Sequence, residues 1–141
     1  MDRNELAKLD DEMLGAWNDH NVDVFLSHCA DDVVWNDLGL PEPLRGKEAA
    51  AEHFGNWMTA FPDMTSTASN RVIGDDTVAV ELTFRGTNTG PMQMGEDTIP
   101  ATGKSVAARG AYFARVRDGR LVELNTYPDA ISMMGQLGLM G

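Results

Sequence analysis

Basic residues are scarce in this chain. Eleven Lys and Arg stand against 22 Asp and Glu over 141 residues, a net charge of −11. Binding a phosphate backbone needs a basic stripe, so nucleic acid is excluded as a partner class. The acids are spread along the chain and read as a solvated surface. Cysteine is nearly absent. Cys29, standing alone, excludes an internal disulfide framework, and with no histidine motif beyond the adjacent His28 it reads as a packing residue. No apolar run is long enough to span a bilayer, and the opening Met1-Asp2-Arg3-Asn4-Glu5 has neither the basic nor the apolar part of a signal peptide. A soluble, cytoplasmic protein without a membrane partner is therefore expected. Also missing are a clustered Cys/His/carboxylate set with metal-ligand spacing, a phosphate-cradling glycine loop and a Gly-x-Ser-x-Gly elbow. No metal site is expected.

What the chain has is long strands. Ser105–Arg117 and Arg120–Tyr127 alternate in polarity and are joined by Asp118-Gly119, a pair that reaches the positive φ angles of a type I′ turn at low cost. Before them, Met64–Ile73 and Thr77–Arg85 read as two more strands around Gly74-Asp75-Asp76. Gly86–Gly103, with its glycines and prolines, reads as a mobile loop or lid. The N-terminal half is helical. Asp2 or Asn4 caps a helix whose stripe is Leu6, Leu9, Met13 and Trp17, and a short helix runs from Asp23 to about Cys29. Val33–Asp37 is a first strand, with Val33, Trp35 and Asp37 on one face. A third helix, Lys47–Phe61, buries Ala50, Phe54, Trp57 and Phe61, with His53 at the edge of that stripe. Asp129 introduces a small last helix. Helices followed by a meander of long strands predict one α+β domain over residues 1–141, a curved antiparallel sheet packed on the N-terminal helices.

Several stretches carry a family resemblance. They are Gly86-Thr87-Asn88-Thr89-Gly90, Ala101-Thr102-Gly103-Lys104, Arg115 to Glu123, and Tyr127-Pro128-Asp129 followed by Gln136-Leu137-Gly138. In this order and spacing the chain resembles the SnoaL-like polyketide cyclases (ester cyclases) of the nuclear transport factor 2-like superfamily, over nearly its whole length. The resemblance implies a conical α+β barrel with a cavity between sheet and helices, dimeric through the outer sheet face. It further implies binding of an aromatic polyketide ester, and one acidic residue that moves a proton during intramolecular carbon–carbon bond formation, with no metal or organic cofactor. Family members often read Glu-His-Trp-Asp at the end of the last strand, the Asp being the acid–base. Here the stretch is Glu123-Leu124-Asn125-Thr126, and a hydroxyl cannot replace a carboxylate base near neutral pH. Asn88 stands where the family's Gly-Thr-His-x-Gly loop often has its histidine.

Other residues are then candidates for the chemistry. His53 combines a titrating group with a helix edge expected to face the cavity, and is the candidate general acid or base; packing is its alternative. Asp37, at the end of an apolar strand, is placed to orient His53, or else caps the following loop. Tyr112 shares a strand face with Ala108 and Gly110, which leave room beside its ring. It reads as a donor to developing negative charge or as core. Trp17, Trp35 and Trp57 suit a flat ligand and equally an ordinary core, and Asn88 and Thr126 complete the candidate substrate-binding set. Asp129 matches a family position and also suits an N-cap. Glu81 and Arg109 are expected as an outer-face charge pair, and Phe113 on that face suggests a homodimer. Two function classes stand side by side. One is a cofactor-free acid–base enzyme of cyclase or isomerase type acting on a small apolar or aromatic molecule. The other is a non-catalytic small-ligand-binding or dimerising module.

Overall fold

The structure, a computed structural model, describes residues 1–140. Helix α1 (Arg3–Asn18) opens on a capping box: the Asp2 side chain accepts from the Glu5 amide, and the Glu5 side chain reaches back to the Asp2 amide. Its buried stripe holds Leu6, Leu9 and Met13, and also Asp10. Helix α2 (Val22–Ser27), capped by Asn21, ends before the expected Cys29. Strand β1 (Cys29–Asp37) starts four residues earlier than the apolar alternation indicates. The pairing of β1 shifts register between Cys29 and Val34, so the exposed Asp31-Asp32 sit in an irregular part of the strand that hides the alternation. After β2 (Leu44–Arg45) comes α3 (Lys47–Ala60).

Strands β3 (Thr65–Ile73), β4 (Thr77–Thr87), β7 (Ser105–Arg117) and β8 (Arg120–Pro128) form the meander, and α4 (Ala130–Gln136) closes the chain. The six-stranded sheet has the order β2-β1-β8-β7-β4-β3. The β7–β8 turn has φ 54° at Asp118 and 76° at Gly119, as a type I′ turn requires. All pairings are antiparallel except β1–β8, which is parallel. The predicted α+β class holds with that one amendment: β1 is separated from its neighbour by most of the chain, so nothing local in the sequence signals their direction. The curved sheet carries α1 against β3 and β4, and α3 against β1. Between the layers lie Val33 and Trp35, Val78, Val80 and Phe84, Val106 and Ala108, and Leu121 and Leu124. They meet Leu6, Leu9 and Met13 of α1, Phe25 of α2 and Phe54 of α3.

The segment expected as a loop or lid contains a short hairpin, β5 (Met92–Met94) with β6 (Asp97–Ile99), and its two ends are anchored. Fully buried Asn88 donates to the Ala60 and Gly90 carbonyls at 3.0 and 2.9 Å and accepts from the Thr102 amide at 2.8 Å. Helix α4 is held by a comparable device. The last β7–β8 pair is Gly110 with Pro128, and the Asp129 amide donates to the Arg109 carbonyl, which leaves the edge of β7 open before residue 109. The Gln136 amide fills that edge, accepting from the Ala107 N–H at 2.8 Å and donating to the Ala107 carbonyl at 2.9 Å. Gln136→Ala should therefore raise the exchange rate of the Ala107 amide by roughly tenfold, the effect of one net hydrogen bond. Unchanged exchange by NMR would mean that α4 docks through its apolar contacts alone.

Candidate functional site

The inner face of the sheet and the three N-terminal helices line a cavity of about 130 Å³ that is partly open to solvent. Its wall is mostly apolar: Met13, Trp17, Phe25, Trp35, Trp57, Leu82, Phe84, Leu124 and Met133 contribute. Asp10, Asp37, Ser66, Arg109, Tyr112, Thr126 and Tyr127 are the polar exceptions. Period-two alternation brings three of these into one row. Thr126 on β8 is paired with Asp37 on β1 to one side and with Tyr112 on β7 to the other.

Asp37 is 7% exposed, and both its oxygens are engaged. Oδ1 accepts from the Gly39 amide at 3.0 Å, and Oδ2 lies 2.7 Å from His53 Nε2. This corrects the expected arrangement. Asp37 is in the cavity wall and His53 is behind it, outside the lining residues, because the strand face shared with Trp35 points Asp37 inward. His53 packs edge-on to Trp35 with ring centroids 4.7 Å apart. The Trp57 indole N–H approaches the same Nε2 at 3.3 Å. One nitrogen cannot both donate to Asp37 and accept from Trp57. The shorter, charge-assisted contact to Asp37 prevails, which puts the proton on Nε2.

Tyr112 belongs to a different cluster. Its hydroxyl donates to Asp10 Oδ1, while Asp10 Oδ2 accepts from Arg71 Nη1 at 3.2 Å. Burial first, and then the charge of Asp10, push the Tyr112 phenol well above its ordinary range. The folded state thus favours the protonated phenol. That contribution to stability is complete below the unfolded value near pH 10 and is lost as pH rises above it. Stability should fall more steeply between about pH 9 and about pH 11 in the parent than in Tyr112→Phe. Denaturant midpoints for the two proteins at both pH values check this, and parallel slopes would put the phenol in water.

The remaining expected residues divide. Trp17, Trp35, Trp57 and Thr126 are in the wall, and the Trp35 indole donates to the Thr126 hydroxyl oxygen at 3.0 Å. The Trp17 indole N–H is the one buried side-chain polar atom without a partner among the described residues. Asn88 does not line the cavity; its side chain is spent on backbone groups of the 86–103 segment. The Glu81–Arg109 pair is not formed, since Glu81 accepts instead from Asn70 at 2.9 Å on the neighbouring strand. Asp129 caps α4, accepting from the Ser132 amide. Burial pushes the Cys29 thiol up to about 11, which fits an inert packing residue. His28 Nε2 lies 3.2 Å from Glu12 Oε2.

Asp10 escaped the sequence reading. The signal was there: it lies four residues after Leu6 and three before Met13, so it is an acid inside an apolar helical stripe. Arg71 escaped too, because only the packing of β3 on α1 brings it to Asp10.

The family model for the SnoaL-like domain matches residues 11–124. The chain belongs to the SnoaL-like domain family. Solved structures agree on the fold. AclR from Streptomyces galilaeus, a proposed hydroxylase, superposes with a TM-score of 0.84 at 23% identity, over 99% of this chain and 100% of that one. TsrD from Streptomyces laurentii gives 0.85 at 23%, over 99% of each. Wild-type IdmH from Streptomyces antibioticus, a proposed polyketide cyclase, gives 0.77 at 27%, over 94% of this chain and 97% of that one. No curated protein matches the sequence. In SnoaL-like terms the fold is the nuclear transport factor 2-like cone. Among the described residues, no helix is long and apolar enough to cross a membrane.

Proposed function

We propose that this SnoaL-like domain is a cofactor-free acid–base enzyme of cyclase or isomerase type. Its substrate is a small apolar or aromatic, polyketide-like molecule taken into the cavity. One observation carries the reading: a carboxylate, Asp37, stands in a mostly apolar wall with both oxygens held from behind. A fixed, poorly hydrated carboxylate is suited to take a proton from carbon beside a carbonyl. His53 is the positioning residue. Tyr112, whose proton is committed to Asp10, is not free to stabilise developing negative charge. The Thr126 hydroxyl is, because its oxygen accepts from Trp35 and its own proton is left to give. The likeness to IdmH, a proposed polyketide cyclase, supports the same class.

The test is base-promoted ring opening of 5-nitrobenzisoxazole. A base removes the C3 proton, the N–O bond breaks, and the cyanophenolate product is followed by absorbance. The protein should exceed acetate at equal carboxylate concentration. A rate no better than acetate favours the second reading, a non-catalytic ligand-binding module. Thr126 supports that reading, since it stands where the family's acid is expected.

We further infer a homodimer through the outer sheet face. Phe113 and Tyr127 lie there edge to face, 46% and 45% exposed, and Val72 on β3 is also exposed. A two-fold contact would remove this apolar surface from water. Light scattering should give twice the chain mass at tens of micromolar, and Phe113→Glu should shift it to the monomer. A parent already monomeric there would end the idea.

A further inference from the structure

The proposed acid–base step uses Asp37 and leaves the second carboxylate of the cavity without a role. Asp10 is 5% exposed and borders the cavity. Its two oxygens take one proton donor each, from Tyr112 and Arg71. A carboxylate has about four lone-pair sites, so acceptor capacity remains. Tyr112 has given its only proton to Asp10, so it too offers lone pairs to the cavity. The Arg71 guanidinium is turned away, to Asp10, to Asp11 at 2.6 Å and to the Ala7 carbonyl, and is not part of the wall. Asp10 and Tyr112 therefore turn acceptors to the cavity, while the Thr126 hydroxyl, beside Tyr112 in the same row, and Arg109 are donors that also border it.

We propose that Asp10 and Tyr112 form a recognition subsite for a neutral hydroxyl of the substrate, phenolic or enolic. The Arg71 guanidinium offsets part of the charge of Asp10, the rest going to the exposed Asp11, which weakens the pull of the subsite on an ammonium relative to an O–H. A ligand without the hydroxyl would leave buried acceptors unpaired, which is how a polar subsite discriminates strongly. The inference rests on the cavity being the ligand site, as the proposed function does, but not on Asp37 acting as base.

Calorimetric titration with three probes tests it: 2-naphthol, 2-methoxynaphthalene and 2-naphthylmethylamine. 2-Naphthol should bind roughly 10- to 100-fold more tightly than the methyl ether, the range for one hydrogen bond to a charged group. It should also bind more tightly than the amine. Equal affinity of 2-naphthol and the ether, or tightest binding of the amine, overturns the proposal. In Asp10→Asn the preference for 2-naphthol over the ether should shrink to about threefold or less, while in Asp37→Asn it should persist. A preference that survives Asp10→Asn and disappears in Asp37→Asn assigns the hydroxyl to Asp37 and refutes the subsite. Should Asp10→Asn fail to fold, Asp37→Asn decides: a preference that persists there supports the subsite, and one that disappears refutes it. Because binding is measured rather than turnover, a protein that shows the preference but does not open nitrobenzisoxazole loses the acid–base reading and keeps this one.

Discussion

Asp37→Asn should lower the rate of nitrobenzisoxazole opening by roughly 10²–10⁴-fold, the usual loss when an acid–base group is removed. The amide keeps the shape of the carboxylate and retains an acceptor for the Gly39 amide, so the fold should survive. What it loses is basicity. His53→Gln should cost less. Glutamine can still offer an N–H toward Asp37 Oδ2, and His53 is behind the carboxylate rather than in the wall. The order of the two variants is the sharper result. Single-turnover rates falling further in His53→Gln than in Asp37→Asn would make His53 the group that moves the proton. Asp10→Asn supplies the internal control, because a loss confined to that variant would transfer the base to the other carboxylate of the cavity.

Asn88→Ala should destabilise the protein by about 2–6 kcal/mol. The side chain makes three hydrogen bonds to backbone groups, and alanine leaves the Gly90 carbonyl and the Thr102 amide to find new partners, with the Ala60 carbonyl keeping only the Gly90 amide at 3.4 Å. Each unmatched group costs about 1–3 kcal/mol, so the two of them cost about 2–6 kcal/mol. Asn88→Asp discriminates the mechanism. It keeps an acceptor for Thr102 but turns a second oxygen toward two carbonyls, so it should rescue little. Gly90→Ala reports on the same anchor by a different route. A Cβ there would lie 1.8 Å from the Thr59 carbonyl oxygen at the end of α3, and neighbouring backbone yields poorly. Urea midpoints of the three variants check the account. Stability of Asn88→Asp close to the parent would mean that the polar clamp contributes little.

Much of this protein is determined within short windows of sequence. The capping box at Asp2 and Glu5, the Asp118-Gly119 turn, the cap at Asp129 and the alternation that puts Trp35 and Asp37 on one face are contacts between near neighbours, so their residue types disclose them. Helical and strand periods likewise report which side chains are buried. The composition of the cavity wall was legible for the same reason: Trp17, Trp35, Trp57, Tyr112 and Thr126 are apolar-stripe or inner-face positions of their own elements. What a period cannot convey is which inward residue meets which. Asp37 and His53 come together through β1 packing on α3, and Asp10, Tyr112 and Arg71 are brought from α1, β7 and β3. The sequence therefore offers Tyr112 as a donor to developing negative charge or as core, whereas its proton goes to Asp10, and it offers Asn88 as a ligand contact, whereas its amide matches three backbone groups around a folded loop. Tertiary packing alone decided these pairings, because a hydrogen bond between residues up to 102 apart depends on how layers are stacked, and that stacking is set by the sum of the apolar contacts rather than by any local preference.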